Sequence, residues 1–173
     1  MATTRSVTLR VNGLEYEHSV EVRKTLVDFL REDLGLVGTH VGCEHGVCGA
    51  CTILFNGETA RSCIMLAVQA DGAELMTVEG LASPEGKLDV IQESFRDEHG
   101  LQCGFCTPGF LMTTYELLHT IPDPTIDEIK DWLSGNICRC TGYKDILESV
   151  QLAAARLRGE DPLPTSQREH DAS

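Results

Sequence analysis

The chemistry of this chain is concentrated in eight cysteines: Cys43, Cys48, Cys51, Cys63, Cys103, Cys106, Cys138 and Cys140. Cys138 and Cys140, in GNICRCTGY, are separated by a single residue. A disulfide between them would close a very small strained ring, so both sulfurs are expected to serve something else. In a reducing compartment structural disulfides are rare, and metal binding becomes the leading use of clustered thiols. The even number and the clustering point to two sites of four ligands each.

The first set reads C-x4-C-x2-C within GCEHGVCGAC, followed at a distance by Cys63. This is the plant-type spacing for a [2Fe–2S] cluster. A cluster held by thiolates carries negative charge, which hydrogen bonds must offset where water is excluded. Gly42, Gly46 and Gly49 would let the backbone curl so that its N–H groups point at the sulfurs. Zinc loops more often use C-x2-C pairs in both halves, so iron–sulfur is the favoured reading of this set. The second set combines C-x2-C in QCGFCTPG with C-x-C in GNICRCTGY. By local spacing alone, an iron–sulfur cluster and a four-thiolate zinc ion both remain open there.

The elements that must position these thiols fall into two halves. Residues 6–11 alternate in character, Asn12-Gly13 is a hairpin-turn signal, and residues 14–20 return as a second strand. Thr25 is expected to cap a short helix whose apolar face is Leu26, Phe29 and Leu30. A second hairpin is predicted from CTILF through Asn56-Gly57 to ETARSC, with Cys63 ending its strand. GLASPEGK, residues 80–87, reads as a linker, and helical periodicity dominates after it. Four helices are predicted: over 88–99, from Pro108 through Leu118, from a Thr125–Glu128 capping box to Gly135, and through Ile146, Val150 and Leu157. Short connections suggest a bundle, with both cysteine pairs at helix junctions, where nearby helix N-termini would favour a negative cluster. The expected division is 1–80, 81–158 and a polar, disordered tail over 159–173.

At 173 residues and 42% hydrophobic content the chain can build packed cores. A net charge of −13 argues against nucleic acid, which needs a basic face. The N-terminal MATTRSVTLRVNG shows neither an apolar run after its first arginine nor a twin-arginine pair. No stretch approaches the roughly 18 apolar residues of a membrane helix. The expectation is a cytoplasmic protein with no membrane span.

GCEHGVCGAC with Cys63, QCGFCTPG and GNICRCTGY together resemble the iron–sulfur subunit of the molybdenum hydroxylases, the family of xanthine oxidase, aldehyde oxidoreductase and aerobic carbon monoxide dehydrogenase. The resemblance runs over residues 5–158 and includes all eight cysteines in order. It implies an α+β fold: a plant-type ferredoxin-like (β-grasp) domain followed by a four-helix bundle, each holding one [2Fe–2S] cluster. It also implies a large partner carrying molybdenum on a molybdopterin, in the cytosine dinucleotide form, and a medium partner carrying FAD, assembled as a dimer of heterotrimers. Electrons would run from molybdenum through the helical-domain cluster, then the ferredoxin-like cluster, to FAD. By matching positions, Gln102 would hydrogen-bond the pterin, and Cys140 would be the cluster ligand nearest to it. The Glu44–Gly46 end of the first loop is expected to face the flavin subunit.

Other residues read more plainly. His45 lies inside the first loop, but four cysteines already complete that site; the remaining histidines read as surface or packing residues. Met65, Met76 and Met112 read as core, and Trp132 as a partly buried helix face. Arg139, between two thiols, suits either neutralisation of cluster charge or pairing with a partner's carboxylate. A free-standing electron carrier and a structural zinc module are the two rival functions. No nucleophile or acid–base pair stands out, so no catalytic residue is expected in this chain.

Overall fold

The computed structural model describes residues 3–160 and 162–165. The first hairpin forms where the pattern predicts it: β1 (Thr4–Val11) and β2 (Leu14–Glu21) pair antiparallel, with Val11 opposite Leu14. Asn12 and Gly13 take φ of 51° and 81°, as a type I′ turn requires at both positions. Along β1, Val7, Leu9 and Val11 point inward while Ser6, Thr8 and Arg10 face out.

The Thr25-capped helix is only one turn long. α1 (Leu26–Asp28) widens at once into a π-helical turn over Phe29–Asp33. Thr25 Oγ1 accepts the Asp28 N–H at 3.2 Å, and Leu26, Phe29 and Leu30 are fully buried. The second hairpin consists of β3 (Thr52–Phe55) and β4 (Glu58–Arg61). Cys51 precedes β3, and Cys63 lies beyond the end of β4 in a 3₁₀ turn over Ser62–Ile64. A fifth strand, β5 (Glu74–Met76), fills the middle of the sheet, parallel to β1 and antiparallel to β3. The order is β2-β1-β5-β3-β4.

Four helices follow the 81–89 loop: α2 (Val90–Asp97), α3 (Thr107–Thr120), α4 (Ile126–Leu133) and α5 (Lys144–Leu157). Both start signals predicted for this half, Pro108 and the Thr125–Glu128 box, are in use, and α2 has a cap that was not expected from the sequence. Asp89 caps α2 by accepting the Ile91 N–H at 2.8 Å, and Pro108 sits in the first turn of α3. Thr125 and Glu128 complete a capping box at α4, with bonds of 2.7 and 3.3 Å. α2 packs on α5 and α3, and α4 on α3 and α5.

The sheet is covered on both faces, and strand alternation shows how. On β3, Ile53 joins Leu9, Phe29 and Leu75 in the core under α1, whereas its neighbour Leu54 joins Phe110, Met112 and Ile129 in the helical core. On β5, Leu75 and Met76 divide in the same way. Phe29, Phe95 and Phe110 are fully buried, each contributing ~1.5–3 kcal/mol by leaving water. The helical half therefore shares an interior with the sheet across β3. Of the tail, residues 161 and 166–173 lie outside the described residues. Within the described part, the Thr165 N–H donates to Oε1 of buried Glu98 at 2.8 Å.

Candidate metal centres

The first four thiols are gathered by the loop before β3 and the turn after β4. The Cys43 sulfur accepts the backbone N–H groups of His45 at 3.3 Å and Cys48 at 3.4 Å. The Cys48 amide, followed by that of His45, lowers the Cys43 thiol to about 6. Burial, then the facing Cys51 thiol, pushes Cys63 up to about 11, against a donated Gly46 N–H. Cys51 and Cys63 are held together because the Cys51 carbonyl accepts both the Ser62 N–H, at 3.3 Å, and the Ser62 hydroxyl, at 2.7 Å. His45 turns its ring Nδ1 to the Cys43 carbonyl oxygen, and no ligand role for it is evident.

The second four meet at the helix junctions. Cys106 is the N-cap of α3, Cys103 precedes it, and Cys138 and Cys140 lie between α4 and α5. Cys106 faces Cys138 and Cys103 faces Cys140. Burial, then the Cys138 thiol, pushes Cys106 up to about 12. At Cys138 burial also opposes ionisation, but the Thr141 hydroxyl and nearby backbone amides outweigh it and lower the thiol. The neighbouring Cys103 thiol raises Cys140. Buried thiols held this high become thiolates only when a cation binds them.

All eight cysteines are free, and each set is built of facing pairs. Among the described residues, no three His, Cys, Asp or Glu side chains are grouped as a single metal ion would need. A lone zinc ion asks four sulfurs to meet at about 2.3 Å from one point. Two facing pairs suit a two-iron cluster, with one pair for each iron.

The sets are tied together. The Ile137 N–H, one residue before Cys138, donates to the Cys48 carbonyl at 2.9 Å. Arg61 Nη2 donates to the Gly135 carbonyl at 2.8 Å, and Arg61 also bonds the Thr52 hydroxyl. Buried Asn136 donates to the Gly49 carbonyl at 3.3 Å and accepts the Thr113 hydroxyl at 3.0 Å. Gly49 has φ +77°, and a Cβ there would stand 2.6 Å from the Gly135 oxygen. Phe105 stacks on His40 with ring centroids 4.9 Å apart, and its carbonyl meets His40 Nδ1 at 2.8 Å.

Residues 9–78 match the family described as a 2Fe-2S iron-sulfur cluster binding domain, and residues 77–151 match a [2Fe-2S] binding domain. The caffeine dehydrogenase subunit gamma of Pseudomonas sp. (strain CBB1) is 56% identical, covering 84% of this chain and 88% of the relative. The nicotine 6-hydroxylase small subunit of Paenarthrobacter nicotinovorans is 53% identical over 83% of this chain and 86% of its own. The crystal structure of quinoline 2-oxidoreductase from Pseudomonas putida 86 contains a chain that superposes with a TM-score of 0.85 at 48% identity, covering 91% of this chain and 99% of that one. The chain belongs to the iron–sulfur small subunits of the molybdenum hydroxylases.

In this molybdenum hydroxylase subunit both cofactor-contact residues expected from the resemblance, Gln102 and Cys140, are exposed beside the second set. Glu44 is likewise exposed, at the tip of the first loop. Sequence reading did not single out Arg61, Asn136 or Thr141 for any role. Asn136 and Thr141 lie inside the quoted GNICRCTGY motif, but their partners, Gly49 and the Cys138 sulfur, emerge only with folding.

Proposed function

We propose that this subunit carries electrons one at a time between a large molybdenum–molybdopterin partner and a medium FAD partner, in a cytoplasmic dimer of heterotrimers. Cys43, Cys48, Cys51 and Cys63 are assigned to one [2Fe–2S] cluster, and Cys103, Cys106, Cys138 and Cys140 to the other. When bound, the clusters supply one-electron carriers. Residues 1–80 are read as a β-grasp ferredoxin-like unit and residues 81–158 as a four-helix bundle. Among the described residues no helix is long and apolar enough to cross a membrane.

The observation that carries this reading is the pair of four-thiol sets linked through the Cys48–Ile137 hydrogen bond. A free carrier would leave the second set without a pterin to face and would not require Gln102, and a zinc module would not need facing pairs. Exposed Cys140 and Gln102 suit entry of electrons from a partner's pterin, in its cytosine dinucleotide form. Exposed Glu44 and Val47, with Ile64 against Gly46, suit a flavin-bearing partner at the other set. The names of the relatives, with caffeine, nicotine and quinoline, support a nitrogen heterocycle as substrate in the large subunit.

Iron and acid-labile sulfide analysis of the purified chain tests the assignment. About four irons and four sulfides per chain are expected from two [2Fe–2S] clusters. Zinc without sulfide would end it, and purification with no molybdenum or flavin partner would favour the free carrier.

A further inference from the structure

Cys138 is 7% exposed, so its sulfur has little water to bond. Thr141 Oγ1 lies 3.2 Å from that sulfur as a hydrogen-bond donor. The same oxygen accepts the Tyr143 N–H at 3.1 Å. A hydroxyl has one proton and two lone pairs. With a lone pair occupied by Tyr143, the Thr141 proton is left for the sulfur.

Tyr143 is itself held unusually. Its φ is +71°, a costly region that bulky residues rarely enter and keep only where the surroundings impose it. Its phenol oxygen accepts the Cys138 N–H at 3.1 Å, and its ring stands edge-to-face on Phe110, centroids 6.4 Å apart. The three bonds close a circuit: Cys138 N–H to Tyr143 Oη, Tyr143 N–H to Thr141 Oγ1, and Thr141 O–H to Cys138 Sγ. The Thr141 hydroxyl both accepts and donates, so the bond it receives from the Tyr143 N–H polarises the one it gives to the sulfur.

We propose that Thr141 is a positioning residue whose hydroxyl, aimed by Tyr143 at the Cys138 sulfur, raises the reduction potential of the helical-half cluster. The inference rests on the assignment of Cys138 as a cluster ligand. An electron added to a cluster held by these thiols would make the sulfurs more electron-rich, so the hydrogen bond donated by Thr141 would favour the reduced form over the oxidised one. The Thr141 proton stays on its oxygen throughout, and the same electron leaves for the next carrier.

The test is a spectroscopically monitored redox titration of the assembled holoenzyme with Thr141→Val and Thr141→Ser. Thr141→Val removes the donor at nearly constant shape, and Thr141→Ser restores it. The valine variant should shift the second cluster's reduction equilibrium about tenfold toward the oxidised form, ~59 mV lower for one electron. The serine variant and the first cluster should stay at wild-type potentials. A deuterium-exchangeable coupling at the reduced second cluster should disappear with valine and remain with serine. Thr141→Ala supplies the same comparison if the valine does not fit. An unchanged potential in the donor-free variant, or an equal shift in the serine variant, overturns the inference. So does a second cluster that assembles with serine but with neither valine nor alanine, which would make the hydroxyl an assembly aid. Absence of a second cluster from the wild-type holoenzyme would instead overturn the ligand assignment, and the inference with it.

Discussion

The amide of Ile137 donates to the carbonyl of Cys48 across 2.9 Å, so the loop of one four-thiol set is hydrogen-bonded to the loop of the other. Counted along the chain the two residues are far apart. Through this bond only the Ile137–Cys138 peptide separates Cys48 from a thiol of the second set. Arg61 and Asn136 brace the same junction by bonding Gly135 and Gly49.

Gly109 should not tolerate a side chain. A Cβ there would overlap the Gly49 carbonyl oxygen, which is backbone and also serves Asn136 and Thr52. Gly109→Ala is expected to cost about 1–3 kcal/mol through overpacking, read by urea denaturation. Loss of visible absorbance from both clusters should accompany it. An unchanged denaturation midpoint would show that the two backbones can part without strain.

Cys140→Ser should be selective. Cys140 is exposed and contributes little to packing, so its loss removes a ligand without opening a core. The second cluster's signal in the reduced enzyme should vanish and substrate should no longer reduce the flavin, while the first cluster remains. Loss of both signals would mean that the joined loops make cluster assembly cooperative.

Glu44→Lys should slow flavin reduction while leaving the second cluster reducible by substrate. Glu44 is exposed at the tip of the first loop, remote in sequence from every thiol of the second set. Rapid-mixing absorbance of the holoenzyme separates the two steps. Wild-type flavin reduction would place the flavin partner elsewhere.

Asp97 should make stability depend on acid. Burial would raise its carboxyl, but hydrogen bonds and charge from Arg96 and Arg156, both at 2.8 Å, outweigh it and hold the group below its ordinary 3.8. A depressed folded-state value stabilises the fold above the unfolded value, and the gain is lost as pH falls through the folded one. Asp97→Asn should therefore be less stable than wild type near neutrality. The gap should begin to close below about pH 4, as followed by denaturant melts across the acid range. A gap that persists in strong acid would assign the effect to shape rather than charge.

Much of this organisation is legible in the chain. Asn12-Gly13, Asn56-Gly57, Pro108 and the Thr125–Glu128 box are local signals that act through backbone geometry, and each marks the element it predicts. β5 is not legible, because three residues cannot display alternation and its place in the sheet comes from distant partners. The short Thr25-capped helix forms with its expected apolar face, but the chain widens from α to π geometry after Asp28. The thiol sets are visible from cysteine spacing, whereas Arg61 and Asn136 look like ordinary polar residues until Gly135 and Gly49 are brought to them.

Strand β3 sends Ile53 into one interior and Leu54 into the other. Deleting or inserting a single residue in that short strand would exchange the two side chains, since strand faces alternate at every residue. It would also move Cys51 relative to Cys63 and pull Gly49 away from α3. Four residues thus act as a vernier between the two halves, and a frame error of one notch would misalign both metal centres at once.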